Sequence, residues 1–140
     1  MLRGDVNAIR VGARTNIQDG AVVHVDSPRG PGDPGCPTII GDDVLIGHMA
    51  MVHGCVLADR SFVGLGAIVM DGCAIESGGM LAAGAMLTPG RTIGGAALDR
   101  AAGEVRARSE RGGDREQLAG RCPLCREREG ASGGDRGVRH

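Results

Sequence analysis

The chain has 140 residues and a formal net charge of −1. That leaves room for one domain without a second core, and nothing in the charge points to nucleic acid or an acidic membrane surface as a partner. No apolar run reaches bilayer length and Arg3 and Asp5 follow Met1 closely, so no membrane or secretory route is expected and a cytoplasmic, reducing location is the default.

In chain order, aliphatic residues recur every six positions at Val11, Ile17 and Val23. The stretch from Asp26 to Pro37, DSPRGPGDPGCP, then breaks the register. Val23 and Ile40 lie 17 apart instead of 6, so 11 residues are inserted as a loop at 26–37 that should project from one corner. The period resumes at Ile40, Ile46 and Val52. After one residue of slippage it continues through Leu57, Val63, Val69, Ile75, Leu81, Leu87 and Ile93. Four positions after most of these sits a small or β-branched residue, such as Thr15, Ala21, Val44, Ala50, Ser61, Ala67 or Cys73. Glycine follows the aliphatic at Gly12, Gly41, Gly47 and Gly64, where a tight corner is expected to need a permissive backbone.

Thirteen aliphatics in near-constant register predict an all-β solenoid, a hexapeptide-repeat parallel β-helix. Each hexad gives one short strand and a corner, and three hexads close an 18-residue coil. Residues 11 to 93 should therefore make about four coils, inside a domain spanning residues 1–95. A β-sandwich would alternate with period two, and an amphipathic helix would space its apolar residues by three and four. With 26 glycines and Phe62 as its one aromatic residue, the chain must fill a thin core with Val, Ile, Leu, Ala and Met. Its five cysteines, Cys36, Cys55, Cys73, Cys122 and Cys125, are expected as small buried residues or thiols rather than disulfides.

Apart from His140, the histidines are His24, His48 and His53. His24 follows Val23 and His53 follows Val52. Their separation of 29, less the 11 inserted residues, is 18, one full coil. They should therefore stack on one face about 4.8 Å apart, the spacing of neighbouring strands. Two imidazoles so placed can share a metal at about 2.0–2.1 Å. His48 lies on the preceding face of its coil and points to another corner. A third ligand would then come from a neighbouring subunit, as a threefold trimer provides. Neutral imidazole suits zinc, iron or cobalt. The alternative is three surface histidines without metal.

The segments RGDVNAIRVGARTNIQDGAVVHV, IGDDVLIGHMAMVHGC, VGLGAIVMDG and AGAMLTPG closely resemble the γ-class carbonic anhydrases, from Leu2 to about Gly90. The resemblance implies a left-handed coil and a homotrimer with metal, zinc above all, on His24, His48 and His53. It also implies an interface ion pair between Arg3 and Asp19. Asn16 and Gln18 would face the metal, with the glutamine holding water or bicarbonate. Read as residues alone, Arg3 and Asp19 are solvated charges, and Asn16 and Gln18 bond their own backbone. The implied reaction is reversible hydration of carbon dioxide to bicarbonate. Three imidazole ligands leave one position for water and lower its pKa from 15.7 to about 7, giving the attacking hydroxide. The active form carries a glutamate after RGD, where this chain has Val6, and acidic shuttle residues in the loop, where only Asp26 and Asp33 remain. Turnover is therefore expected to be weak or absent. The rival classes are a hexapeptide acyltransferase or CoA thioesterase, with a catalytic histidine lacking two companions at metal spacing, and a metal-loaded scaffold subunit without activity.

The two ends depart from the resemblance. Relatives carry further β-helix before RGD, so a start upstream of Met1 is expected. After TPG they continue into LWxGxPAK and a helix, whereas residues 96–140 here are rich in Gly and Arg and are expected to be mostly disordered. Permitted codons for Gly95 to Val105, taken one base later, spell EQLWTGRPAK, and the following codons give FVRDLSEEEI. The segment after about Gly95 thus reads as the family's C-terminus in a shifted frame. Cys122 and Cys125, half of a zinc knuckle without its second pair, then have no evolved role.

Overall fold

The computed structural model describes residues 1–94 and the strand Leu98–Asp99. The expected boundary at 95, the tail at 96–140 with its Cys122 and Cys125, and the frame-shifted reading otherwise lie outside the described residues. Short strands follow one another as β1 (Ile9–Val11), β2 (Asn16–Ile17), β3 (Val22–His24), β4 (Thr38–Ile40), β5 (Leu45–Ile46), β6 (Met51–His53), β7 (Val56–Leu57) and β8 (Phe62–Val63). They continue as β9 (Ile68–Val69), β10 (Ala74–Ile75), β11 (Met80–Leu81), β12 (Met86–Leu87), β13 (Thr92–Ile93) and β14 (Leu98–Asp99). Each pairs in parallel with the strand three further on, giving sheets β1-β4-β7-β10-β13, β2-β5-β8-β11-β14 and β3-β6-β9-β12. Three strands therefore make one turn of a left-handed parallel β-helix. Four coils are complete at β12, and β13 and β14 open a fifth. Among the described residues no helix is long and apolar enough to cross a membrane.

The six-residue register is the inward face of these sheets. Ile40, Leu57, Ile75 and Ile93 stack as one column, Ile46, Val63 and Leu81 as a second, and Val23, Val52, Val69 and Leu87 as a third; all are buried. Each coil thus covers the aliphatic layer of the one before, and removal of these side chains from water is the main stabilising term. Small residues four positions on, including Ala21, Val44, Ala50, Ala67 and Cys73, are buried as expected. Val11 departs from the expected core. It pairs with Ile40 in the inward register yet is 44 % exposed, because no rung of this sheet covers β1.

The glycines after the aliphatics have a different cause from the one expected. Gly12, Gly41, Gly47 and Gly64 do not adopt positive φ. A Cβ on Gly64 would instead stand 2.4 Å from the backbone nitrogen of Ala83, in the coil beyond. Close stacking of successive corners, not backbone freedom, excludes a side chain there. Left-handed conformation falls three positions after the inward aliphatic, at Arg14, Asp43, Met49 and Arg60 and at glycines such as Gly66.

Two details complete the frame. The inserted loop is closed at its base by Asp26 N–H to Cys36 O (2.9 Å) and Cys36 N–H to Asp26 O (3.3 Å), and residues 27–34 are exposed. The Asn7 amide donates to the carbonyls of Asp26 and Pro34, both at 3.0 Å, and clasps that base from the N-terminal side. Ser61 occupies a small-residue position with its hydroxyl buried and, among the described residues, lacking a hydrogen-bond partner. An unmet buried hydroxyl costs about 1–3 kcal/mol, so Ser61→Ala should unfold at a midpoint equal to or above that of the parent. A clear fall in that thermal midpoint would show that the hydroxyl is satisfied in solution.

Candidate metal centre

His24 and His53 are the last residues of β3 and β6 and face each other in the ladder, as the 18-residue register requires. Their ring centroids stand 5.0 Å apart with the planes tilted by 57°. The inner nitrogens, Nδ1 of His24 and Nε2 of His53, are 3.0 Å apart. On the outer side, Nε2 of His24 lies 2.8 Å from Asp5 Oδ1, and Nδ1 of His53 is hydrogen-bonded to Asp71 Oδ1. Carboxylate oxygens accept from a ring N–H, so each favours the neutral tautomer that carries its proton on the outer nitrogen. The inner nitrogens are then two lone pairs converging on one point. Two nitrogens of one tetrahedral zinc stand about 3.3 Å apart for bonds of about 2.05 Å, close to the spacing present. This donor set fits a borderline cation such as zinc, iron or cobalt.

The surroundings hold the pair in place. Arg3 donates to Asp5 Oδ2 from Nε (2.8 Å) and Nη2 (2.6 Å). Arg3 first, and then His24, hold the Asp5 carboxyl down to about 2, so it is ionised throughout the neutral and mildly acidic range. The main-chain carbonyl of His24 accepts from Thr38 Oγ1 (2.5 Å) and from Gly54 N–H (3.3 Å), which fixes the strand end that carries the ring. Beside the two imidazoles a shallow cavity of about 170 Å³ is lined by Met1, Arg3, Val22, His24, Met51 and His53. Val22 and Met51 give it an apolar side beside the two rings and the guanidinium.

The other expected residues lie elsewhere. His48 sits in the turn between β5 and β6, half exposed, with Asp19 Oδ2 at 4.0 Å. Asn16 is exposed on β2, Gln18 follows that strand, and Asp19 in the next turn is fully exposed. These four residues share the sheet of β2 and β5 and the corner after it, while His24 and His53 occupy the next corner. Among the described residues of one chain, no three His, Cys, Asp or Glu side chains converge as a metal-binding group. Arg3 and Asp19 do not meet within the chain; the described ion pair of Arg3 is with Asp5.

Asp5 and Asp71 were not singled out from sequence. Asp71 lies 18 residues after His53, one coil, and that spacing was a usable signal. The one-residue slip after Val52 hides it, because Val52 pairs with Val69 and the nominal rung after His53 is Met70. Asp5 precedes β1 and belongs to no repeat, so its approach to His24 has no periodic signature.

No family model matches the chain. It is 52% identical over 87 residues to mitochondrial gamma carbonic anhydrase 1 of Arabidopsis thaliana, covering 62% of this chain and 31% of that protein. It is 46% identical over 69 residues to a probable carbonic anhydrase of Methanocaldococcus jannaschii, covering 49% of this chain and 39% of that one. Among solved structures, a hexapeptide transferase family protein from Anaplasma phagocytophilum superposes with a TM-score of 0.59 at 48% identity, covering 67% of this chain and 51% of that chain. The chain thus spans about a third of the length of these curated relatives and about half of the solved one.

Proposed function

Because the chain belongs to the γ-carbonic anhydrase-like hexapeptide-repeat family, we propose that it binds one divalent metal ion, zinc in the first place, at a centre shared between subunits of a homotrimer. The observation that carries this reading is the His24–His53 pair, with inner nitrogens 3.0 Å apart and both outer nitrogens engaged by carboxylates. Protein carboxylates behind metal-bound imidazoles are the usual way of orienting such ligands. His48, at the adjacent corner, supplies the third nitrogen from the neighbouring chain, and Asp19 of that corner meets Arg3 across the same boundary. Asn16 and Gln18, on the sheet leading to His48, face the centre and orient substrate.

His24 and His53 of one chain and His48 of the next would hold the zinc, which when bound would supply a nucleophile at neutral pH by lowering the pKa of water to about 7. The substrate is carbon dioxide and the product bicarbonate, with the apolar wall of Val22 and Met51 suited to the uncharged gas. Proton export is the weak step. Asp26 is held by Arg29 Nη2 at 3.1 and 3.2 Å, and Asp33 accepts from the Gly35 N–H at 3.0 Å, so both loop carboxylates are engaged locally. Slow turnover follows from that arrangement.

Metal analysis of the purified protein should give about one zinc or iron per chain, and stopped-flow hydration of carbon dioxide should be metal-dependent and slow. Metal-loaded protein no faster than buffer would leave a metal-binding scaffold. The likeness to the Anaplasma phagocytophilum hexapeptide transferase family protein favours acyl transfer as a second reading. Metal-independent turnover of acetyl-CoA would select it.

A further inference from the structure

We propose that Asp71 is a positioning residue that holds His53 as its Nδ1–H tautomer and so aims the bare Nε2 at the point it shares with His24. The inference rests on the metal-binding reading for its use, but not for its geometry. Asp71 stands in the corner turn after β9, one coil beyond His53, and its carboxylate reaches back across the coil spacing to His53 Nδ1. The turn is pinned at both neighbours: Gly72 N–H donates to Gly54 O at 2.8 Å, and Gly90 N–H donates to Asp71 O at 2.9 Å. The path of the carboxylate is kept open by a missing side chain. A Cβ on Gly54, the residue after His53, would lie 2.7 Å from Asp71 Oδ1, and Gly54 has a φ of +50°. His53, Gly54 and Asp71 therefore form one unit spanning two coils.

The two ligands are aimed differently. His24 is presented through Nδ1 and His53 through Nε2, because Asp5 takes the opposite nitrogen of His24 from the one Asp71 takes of His53. A neutral imidazole offers a lone pair on one nitrogen only. Without Asp71, His53 is free to carry its proton on Nε2, the wrong nitrogen for a shared cation, or to rotate about its outer bonds. Loss of such an orienting partner weakens metal binding about 10–100-fold.

The test uses the full chain with Asp71→Ala and with Asp71→Asn, which keeps an acceptor oxygen at the same place. Zinc affinity is read by competition with a chelating dye. The His53 tautomer is read from ring-nitrogen NMR of metal-free protein at a pH where both rings are neutral. Circular dichroism and thermal midpoint confirm that the variants fold. The expected result is a zinc dissociation constant raised about tenfold or more in Asp71→Ala, a smaller rise in Asp71→Asn, and a His53 signal that moves away from pure Nδ1–H in the alanine variant. Zinc bound by folded Asp71→Ala within twofold of the parent would overturn the proposal. Should the parent bind no zinc, the metal reading fails and the tautomer alone decides. A Nδ1–H ring released by Asp71→Ala upholds the positioning role, and an unchanged ring removes it.

Discussion

Chains carrying His24→Ala and chains carrying His48→Ala should each bind essentially no zinc, and an equal mixture refolded together should recover about a quarter of the parent sites. The reason lies in the separation of the two corners. His24 and His53 stand at the end of β3 and β6, while His48 occupies the turn before β6 beside Asp19. In the proposed threefold ring each centre would take its histidine pair from one chain and its His48 from the next. A centre is intact in the mixture only where a His48→Ala chain donates the pair and a His24→Ala chain donates His48, a chance of about one half times one half. A centre contained within one chain gives no recovery on mixing, because every chain then lacks a ligand. The readout is zinc per chain after gel filtration of the mixed trimer. Sites at the level of either variant alone would remove the shared centre, and full zinc occupancy in a monomer would do the same.

The sequence carried the solenoid and the histidine pair for one physical reason. A coil that repeats every 18 residues writes its inward column as a period of six, and insertion of a loop alters the count without altering the stacking. Subtracting the loop therefore placed His24 on His53, and the 5.0 Å centroid separation matches the strand spacing expected. The resemblance to the γ-class enzymes named the same three histidines and added Asn16, Gln18, Arg3 and Asp19. What was not legible came from outside the period. Asp71 is displaced by the slip at Val52, and Asp5 reaches His24 from a segment without repeat. The role of Gly64 was misread for a related reason. A six-residue pattern shows that a position must be small, but not whether torsion or a neighbouring coil demands it.

Gly64→Ala should cost about 3 kcal/mol or more, whereas Gly66→Ala should cost about 1 kcal/mol, although only the second site has a left-handed backbone. At Gly64 an added Cβ stands 2.4 Å from Ala83 N, 2.6 Å from Ala82 C and 2.7 Å from Ala83 Cα. All three are backbone atoms of the coil beyond, so no side chain can swing aside. The adjoining hydrogen bond from Gly64 N–H to Leu81 O, 2.8 Å, ties the same two coils at that height. Relief therefore requires the coils to part, which lengthens ladder bonds and opens the layer between the buried side chains of Val63 and Leu81. At Gly66, with φ of +63°, nothing lies within 4 Å of the added carbon, and the penalty is the torsional strain of an L-residue alone. About 3 kcal/mol corresponds to a thermal midpoint lower by on the order of 12–24 °C in a domain of this size, and about 1 kcal/mol to a third of that. Equal shifts for the two variants would mean that the corners relax freely, and that coil contact is not what reserves Gly64 for glycine.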